Sequence, residues 1–128
     1  MMDGTNFELV EDFMEAMGQE VNAIPTFPEA EIQRLRLDLI EEELDELHYA
    51  IDNKDMVEIA DALGDLLYVV YGAGHAFGID LDECFKEIHA SNMSKLGPDG
   101  KPIKREDGKV LKPDTFFPPD LKSILYSE

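Results

Sequence analysis

The helical spacing of apolar residues is the feature that most constrains what this chain folds into. Through the first 96 residues, apolar side chains recur at steps of three and four positions, the period of an amphipathic helix. The clearest stripe consists of Leu37, Ile40, Leu44, Leu47 and Ile51. Because a half-buried strand needs a period of two, the pattern predicts an all-α fold, a bundle of about four helices.

Short breaks separate the predicted helices. Residues 24–28 contain two prolines and end the first helix, and a polar turn at residues 52–55 separates the second from the third. Glycines accumulate towards Gly78, where the third helix is predicted to end. Asp80 resembles an N-cap, so the fourth helix is predicted from there to a stop at Gly97.

The composition of the chain changes after the fourth predicted helix. Five of the seven prolines lie in residues 98–119, which predicts an irregular arm. Asp107-Gly108 favours a turn inside a small hairpin from Ile103 to Leu111, and a short helix is predicted to start near Asp120. We therefore expect one domain over residues 1–128, with a helical core at 5–96 and a basic C-terminal arm at 97–128.

Charge is distributed very unevenly. The 29 acidic and 11 basic side chains give a net charge of −18. Residues 1–90 carry −19 (4 basic, 23 acidic) and residues 91–128 carry +1 (7 basic, 6 acidic). Such acidity argues against nucleic acid as a partner, since neutralising phosphates needs a surplus of basic residues. The sequence has neither a signal-peptide pattern nor a membrane-spanning apolar run of about 20 residues, so we expect a cytoplasmic protein.

Carboxylates concentrate on the second and third predicted helices. Glu43 and Glu46 stand three apart, on one face of the second helix. Glu58, Asp61 and Asp65 share a face of the third helix, at spacings of three and four. A solvated helix face is the commonest explanation of such a run. A short turn between the two helices would instead bring the two groups together.

The stretch that follows these carboxylates favours a metal site. Residues 66–71 are apolar on every side, so the acidic face continues into a part of the helix expected to be covered. Buried like charges are unfavourable unless a cation neutralises them, and Mg²⁺ is the usual hard cation where a substrate brings phosphates. Cys84 is the single cysteine and the histidines are scattered, which disfavours zinc. No phosphate-binding glycine loop is present in the sequence.

The motif Glu42-Glu43-x-x-Glu46, followed by Glu58-x-x-Asp61, resembles the EExxE…ExxD signature of the all-α nucleoside triphosphate pyrophosphohydrolases. That superfamily includes the MazG-like proteins, the dimeric dUTPases and the phosphoribosyl-ATP pyrophosphohydrolases. The tail from residue 91 to 121 is similar to that of one MazG-like subgroup, so the resemblance spans about residues 35–125.

The resemblance implies hydrolysis of a (deoxy)nucleoside triphosphate to the monophosphate and pyrophosphate, with Mg²⁺ or Mn²⁺ as cofactor, in nucleotide-pool housecleaning. It implies that Glu43, Glu46, Glu58 and Asp61 are metal ligands. Asp65 is then either a further ligand or a group that supports the ligands. The catalytic base towards water is Glu42 or one of the four ligands, so the expected catalytic set is Glu42, Glu43 and Glu46.

The basic tail supplies the candidate substrate-binding residues. Asn92 and Lys95 lie three apart on the fourth helix and are expected to contact sugar and phosphate. Lys101, Arg105 and Lys109 are expected to help hold phosphate, although lysines on such an arm are commonly just solvated. The apolar third helix and the family resemblance also predict a homodimer or a dimer of dimers.

Two alternatives remain open from the sequence. Phosphoribosyl-ATP is another substrate of the same enzyme class. A non-catalytic acidic helical module, which binds a basic partner or a nucleotide without turnover, is the alternative from a different class. Convergence of Glu43, Glu46, Glu58 and Asp61 around one cation would favour the enzyme.

Overall fold

The structure is a computed structural model that describes residues 3–126. Within that range the chain forms four long helices, a two-stranded sheet and one short helix, which confirms the all-α prediction. In chain order the elements are α1 (Asn6–Ala16), α2 (Ala30–Asp52), α3 (Met56–Phe77), α4 (Leu81–Met93), β1 (Ile103–Lys104), β2 (Val110–Leu111) and α5 (Leu121–Tyr126). None of the described helices has the length and apolarity that crossing a membrane would require.

Local chemistry explains the start of α1 and both ends of α3. Thr5 and Glu8 form a reciprocal capping box at the start of α1. The Asp55 carboxylate accepts a hydrogen bond from the Glu58 backbone N–H at 3.2 Å and caps α3. Gly78 ends α3 with a φ of 68°, the left-handed conformation that glycine adopts without strain. The turn at 52–55 and the stop at Gly78 are confirmed. Residues 24–28 are non-helical as predicted, but the prediction that they end the first helix was wrong, because α1 already ends at Ala16.

The chain has two compact units, Met1–Leu81 and Asp82–Glu128. In the first unit, α2 and α3 share the most extensive helix–helix contact and α1 packs on α3. The buried apolar side chains of this unit are Val10, Met14, Ala50, Ala62 and Ala76. The single domain expected over residues 1–128 stays a prediction, and its residues 1, 2, 127 and 128 lie outside the described part of the chain.

The apolar stripe of α2 is not a core within one chain. Leu37 and Ile51 are each more than half exposed, at 51% and 53%, and Leu44 is also exposed. On α3, Leu67 is 52% exposed, so the part of α3 that we expected to be covered on every side has an open apolar face. Periodicity identified the apolar face correctly, but the chain itself supplies cover for only part of it.

The second unit contains α4 and the C-terminal arm. The predicted hairpin is confirmed: β1 pairs antiparallel with β2, and Ile103 lies opposite Leu111. The prediction that α4 extends to Gly97 was wrong, because the helix ends at Met93. Beyond this point Leu96 pairs instead with Pro102 in an isolated bridge.

Two serines explain why α4 stops early. The Ser94 hydroxyl donates to the Ser91 carbonyl oxygen at 2.6 Å and accepts from the Phe117 backbone N–H at 3.1 Å. The buried Ser91 hydroxyl donates to the Phe117 carbonyl oxygen at 2.8 Å. These bonds bring the arm back against the end of α4 and give the helix terminus partners other than a further helical turn.

Candidate metal and active site

Three carboxylates converge between α2 and α3. Glu43, Glu46 and Asp65 each place one carboxylate oxygen within 4.8 Å of the other two. Glu43 and Glu46 share a face because they are three residues apart on α2. Asp65 reaches them from α3, the helix with the most extensive contact to α2. Two of the four predicted ligands, Glu43 and Glu46, are thus in the cluster, and its third member is Asp65.

The cluster perturbs the ionisation of its own members. Burial, the hydrogen bond with Glu46 and the charges of Glu46, Asp65 and Asp61 raise the pKa of Glu43 to about 7. Burial first, and then the charges of Asp61 and Glu46, also raise the pKa of Asp65. Ionisation of Glu43 and of Asp65 is therefore less favourable than usual, and a bound cation would reverse that effect.

One carboxylate oxygen of the cluster is buried without a hydrogen-bond donor in the described part of the chain. Glu43 Oε2 is buried and accepts no hydrogen bond from any described residue. A buried acceptor without a donor is unfavourable by about 1–3 kcal/mol. A hard divalent cation takes oxygen ligands, so the donor set and the orphaned oxygen both fit such an ion.

The other two predicted ligands line an adjoining cavity. Glu58 and Asp61 are exposed on α3, and with Glu46 they line a cavity of about 510 Å³. Neither belongs to the three-carboxylate cluster, although the charge of Asp61 acts on both Glu43 and Asp65. Glu46 is therefore common to the cluster and to the cavity. Glu42 is exposed and lies outside both groups.

The predicted substrate-binding residues all belong to the second compact unit. Asn92 is exposed near the end of α4, and Lys95 is half-buried just beyond it. Lys101 is exposed and precedes β1, and its backbone N–H donates to Asp99 at 3.0 Å. Because they lie in a unit separate from the carboxylates, their role towards substrate stays a prediction.

The hairpin turn engages Arg105. Its guanidinium donates two hydrogen bonds to the Asp107 carboxylate, at 3.0 and 2.6 Å. The Lys109 backbone N–H donates to the same carboxylate at 3.1 Å. These bonds hold the pKa of Asp107 below its usual range. Arg105 therefore closes the turn, whereas the Lys109 side chain is exposed.

Arg36 is a charged residue that the sequence pattern did not single out. It is only 7% exposed, and a Cβ added at Gly72 would lie 2.6 Å from its Nη1. Its Nη2 donates to the Gln19 side chain at 3.2 Å, and its Nε has no partner in the described part of the chain. Burial lowers its pKa. An arginine seven residues before Glu43, on the same helix face, was the available signal.

The fold and the cluster together define the class: an all-α protein with a carboxylate cluster, suited to a metal ion, between two of its helices. The family comparison identifies it further: the chain belongs to the phosphoribosyl-ATP pyrophosphohydrolase family, whose model matches residues 10–92. This match confirms the resemblance to the all-α nucleoside triphosphate pyrophosphohydrolases.

The chain is also similar to an uncharacterised protein of Acanthamoeba polyphaga mimivirus. The two are 45% identical over 82 residues, which is 61% of this chain and 33% of the viral protein. The matching region therefore spans about a third of the length of this curated relative.

Proposed function

We propose that this protein is a Mg²⁺-dependent pyrophosphohydrolase that converts a (deoxy)nucleoside triphosphate to its monophosphate and pyrophosphate. The observation that carries the proposal is the convergence of Glu43, Glu46 and Asp65, with the pKa of Glu43 raised to about 7. Strongly perturbed carboxylates that meet beside a cavity are characteristic of functional sites. The family match supports this reaction type.

Glu43, Glu46 and Asp65 are the residues that would hold the cation, either Mg²⁺ or Mn²⁺. When bound, the ion supplies positive charge that offsets the phosphates and favours ionisation of a coordinated water. Glu43 Oε2 would gain the partner that it lacks. Glu58 and Asp61 face the same cavity as Glu46 and can extend the site towards the triphosphate.

In the proposed reaction, water attacks the α-phosphorus, next to the oxygen that bridges the α- and β-phosphates. The bridging P–O bond breaks, its electron pair leaves with pyrophosphate, and the proton of the water passes to a carboxylate. Asp61 suits that role because it lines the cavity without belonging to the cluster. Glu42, the base suggested by the motif, is the alternative.

The basic and polar residues of the second unit are proposed to contact sugar and phosphate. Asn92 and Lys95 are the leading candidates, followed by Lys101 and Lys109. Arg105 is the weakest candidate, because its guanidinium is already paired with Asp107. Positive charge at the phosphates stabilises the charge that develops on the leaving group.

We also propose that the protein functions as a homodimer or a dimer of dimers. The support is the open apolar face of α2 and α3, on which Leu37, Ile51 and Leu63 are about half exposed. An exposed apolar face of this kind is typical of a protein–protein interface. Light scattering coupled to size-exclusion chromatography measures the mass directly, and a monomer at micromolar concentration would contradict the assembly.

Phosphoribosyl-ATP is the second candidate substrate, and the name of the matching family favours it. The chemistry is the same, since the α–β phosphate bridge is again hydrolysed with release of pyrophosphate. The two candidates differ only in what the protein must recognise beyond the triphosphate. A single substrate panel therefore separates them.

The test is product analysis for a panel of canonical and modified (d)NTPs and phosphoribosyl-ATP, with Mg²⁺, with Mn²⁺ and with EDTA. We expect monophosphate and pyrophosphate from one or a few substrates, and no products with EDTA. Glu46→Gln should abolish turnover because Glu46 belongs to both the cluster and the cavity. Glu41→Gln is the matched control, an exposed glutamate of α2 outside both groups.

Three outcomes would contradict the proposal in different ways. Release of orthophosphate would indicate cleavage at a different phosphate bridge. Equal activity in Mg²⁺ and EDTA would exclude the role given to the carboxylates. The absence of turnover with every substrate would favour the non-catalytic acidic module.

A further inference from the structure

Three glycines lie inside α3, and contacts within the described chain explain two of them. A Cβ at Gly72 would lie 2.6 Å from Arg36, and one at Gly74 would lie 2.6 Å from Leu81. A Cβ at Gly64 would meet nothing within 4 Å. Glycine inside a helix is destabilising relative to alanine. Packing within the described chain gives no reason for it at Gly64, which indicates that something else approaches the backbone there.

Gly64 lines a cavity between α1 and α3. The cavity has a volume of about 210 Å³, and its other walls include Leu67, Tyr68 and Tyr71 from α3 and Asn6 from α1. Most of these side chains are aromatic or aliphatic, and the amide of Asn6 can both donate and accept hydrogen bonds. An apolar cavity with a few polar groups is the usual composition of a small-molecule site.

The tyrosines of this cavity are held by aromatic contacts from α1. The Phe13 ring meets Tyr68 edge-on at a centroid distance of 5.6 Å, and Phe7 meets Tyr71 at 6.2 Å. Edge-to-face pairs favour one orientation of each ring. The cavity walls are thus positioned before any ligand enters, which lowers the entropic cost of binding a flat molecule.

The cavity and the carboxylate site lie on neighbouring faces of α3. Gly64 immediately precedes Asp65, and Asp61 lies one turn before Gly64 on the same helix. A ligand with phosphates at Glu43, Glu46 and Asp65 can reach the backbone of Gly64 with its remaining part only by extending around α3 to this neighbouring face. A planar heterocycle needs that close approach, and a Cβ would obstruct it.

We infer that the cavity at Gly64 holds the heterocyclic base of the nucleotide, and that the missing side chain at Gly64 makes room for its face. The inference rests on the proposed function for the identity of the ligand. Tyr68 or Tyr71 packs on the ring, and the Asn6 amide hydrogen-bonds an edge of the base. Gly64 is accordingly a residue that determines specificity, whereas the carboxylates recognise only the phosphates and the cation.

The test compares Gly64→Ala and Gly64→Leu with the parent protein in the full-length chain. Ala60→Leu is the matched control, because it also enlarges a residue of α3 directly before a carboxylate but lies outside the cavity walls. Each variant is assayed for the KM of the best nucleotide and for competitive inhibition by inorganic tripolyphosphate, which has phosphates and no base.

We expect Gly64→Leu to raise the KM for the nucleotide by about tenfold or more. Inhibition by tripolyphosphate should stay within about twofold in every variant. Gly64→Ala should have a smaller effect in the same direction, and Ala60→Leu should leave both quantities unchanged. An unchanged KM in Gly64→Leu would overturn the inference, as would a parallel loss of nucleotide and tripolyphosphate binding. A change of oligomeric mass with an unchanged KM would assign the cavity to a second copy instead.

Failure of the proposed function is distinguishable from failure of this inference. If the parent protein turns over no nucleotide, nucleoside binding by ligand-observed NMR tests the cavity without any phosphate. Binding that Gly64→Leu abolishes and Ala60→Leu preserves would support the cavity on its own. The absence of binding for every nucleoside would overturn it.

Discussion

The carboxylates of Glu43 and Asp65 face each other across the contact between α2 and α3, with oxygen atoms no more than 4.8 Å apart. Two like charges at this separation resist simultaneous ionisation, and partial burial strengthens the effect. Burial is the first cause of the raised pKa of each group; the charge of Asp65 adds to the shift of Glu43, and the charges of Asp61 and Glu46 add to that of Asp65. The same pair therefore lowers the stability of the cation-free protein and offers ligands to a divalent ion.

The cation-free protein should lose stability as the pH rises through the range from 4.5 to about 7. The pKa of Glu43 is raised from 4.5 to about 7 in the folded state, so the folded state binds more protons than the unfolded state in this window. The free energy of unfolding then falls with increasing pH, and the shift of Asp65 acts in the same direction. Chemical denaturation in EDTA across this range measures the slope.

Glu43→Gln is the control for that slope, because the amide stays neutral at every pH. In EDTA the variant should match the parent near about pH 5 and be more stable than the parent near about pH 8. An identical slope in both proteins would assign the pH dependence to general repulsion among the many acidic side chains.

Divalent cations should raise the melting temperature, and Glu46→Ala should remove the effect. An ion that binds only the folded state stabilises it by about 2.7 kcal/mol at a concentration roughly 100 times its Kd. Glu41→Ala, on the same helix and outside the cluster, should respond to Mg²⁺ as the parent does. A Mg²⁺ response that survives Glu46→Ala would place the cation elsewhere.

Asp65→Asn should weaken Mg²⁺ binding more than Glu58→Gln does. Asp65 belongs to the cluster, whereas Glu58 lines only the adjoining cavity. Loss of one ligand carboxylate removes a charge and an oxygen from the first coordination contacts, so the Kd should rise by about tenfold or more. Isothermal titration of each variant compares them directly. The reverse ranking would restore the Glu58-x-x-Asp61 pair as the principal ligands.

Gly64→Ala and Gly78→Ala should change stability in opposite directions. Alanine at Gly64 meets open space inside a helix, so the variant should gain about 1 kcal/mol. At Gly78 the φ is 68° and a Cβ would collide with the Ile24 carbonyl, so that variant should lose well over about 1 kcal/mol. Urea denaturation gives both values, and a destabilised Gly64→Ala would mean that another chain packs against that site.

Ser91→Ala should loosen the arm of the second unit without unfolding α4. The substitution removes the hydrogen bond to the Phe117 carbonyl oxygen and should destabilise the arm by about 0.5–1.5 kcal/mol. Hydrogen exchange at the Phe117 amide should become faster, since that amide depends on the neighbouring Ser94 hydroxyl. Unchanged exchange would show that other contacts of the arm suffice.

Much of the local structure was predictable because its causes are local. Apolar spacing identified the helices, and Asp107-Gly108 identified the hairpin turn. The end of α4 was not predictable, because the Ser94 hydroxyl is engaged by Phe117, a residue far along the chain. The exposure of the apolar faces of α2 and α3 was equally unpredictable, since periodicity reveals an apolar face but not what covers it.

The sequence by itself determined that Glu43 and Glu46 share a helix face, and that acidic residues repeat along the next helix. Their spacing relative to the helical period is sufficient for that. Tertiary structure decided that Asp65, and not Glu58 or Asp61, completes the cluster. The physical reason is that the rotation of α3 against α2 depends on packing between helices, and one helix sequence does not encode it.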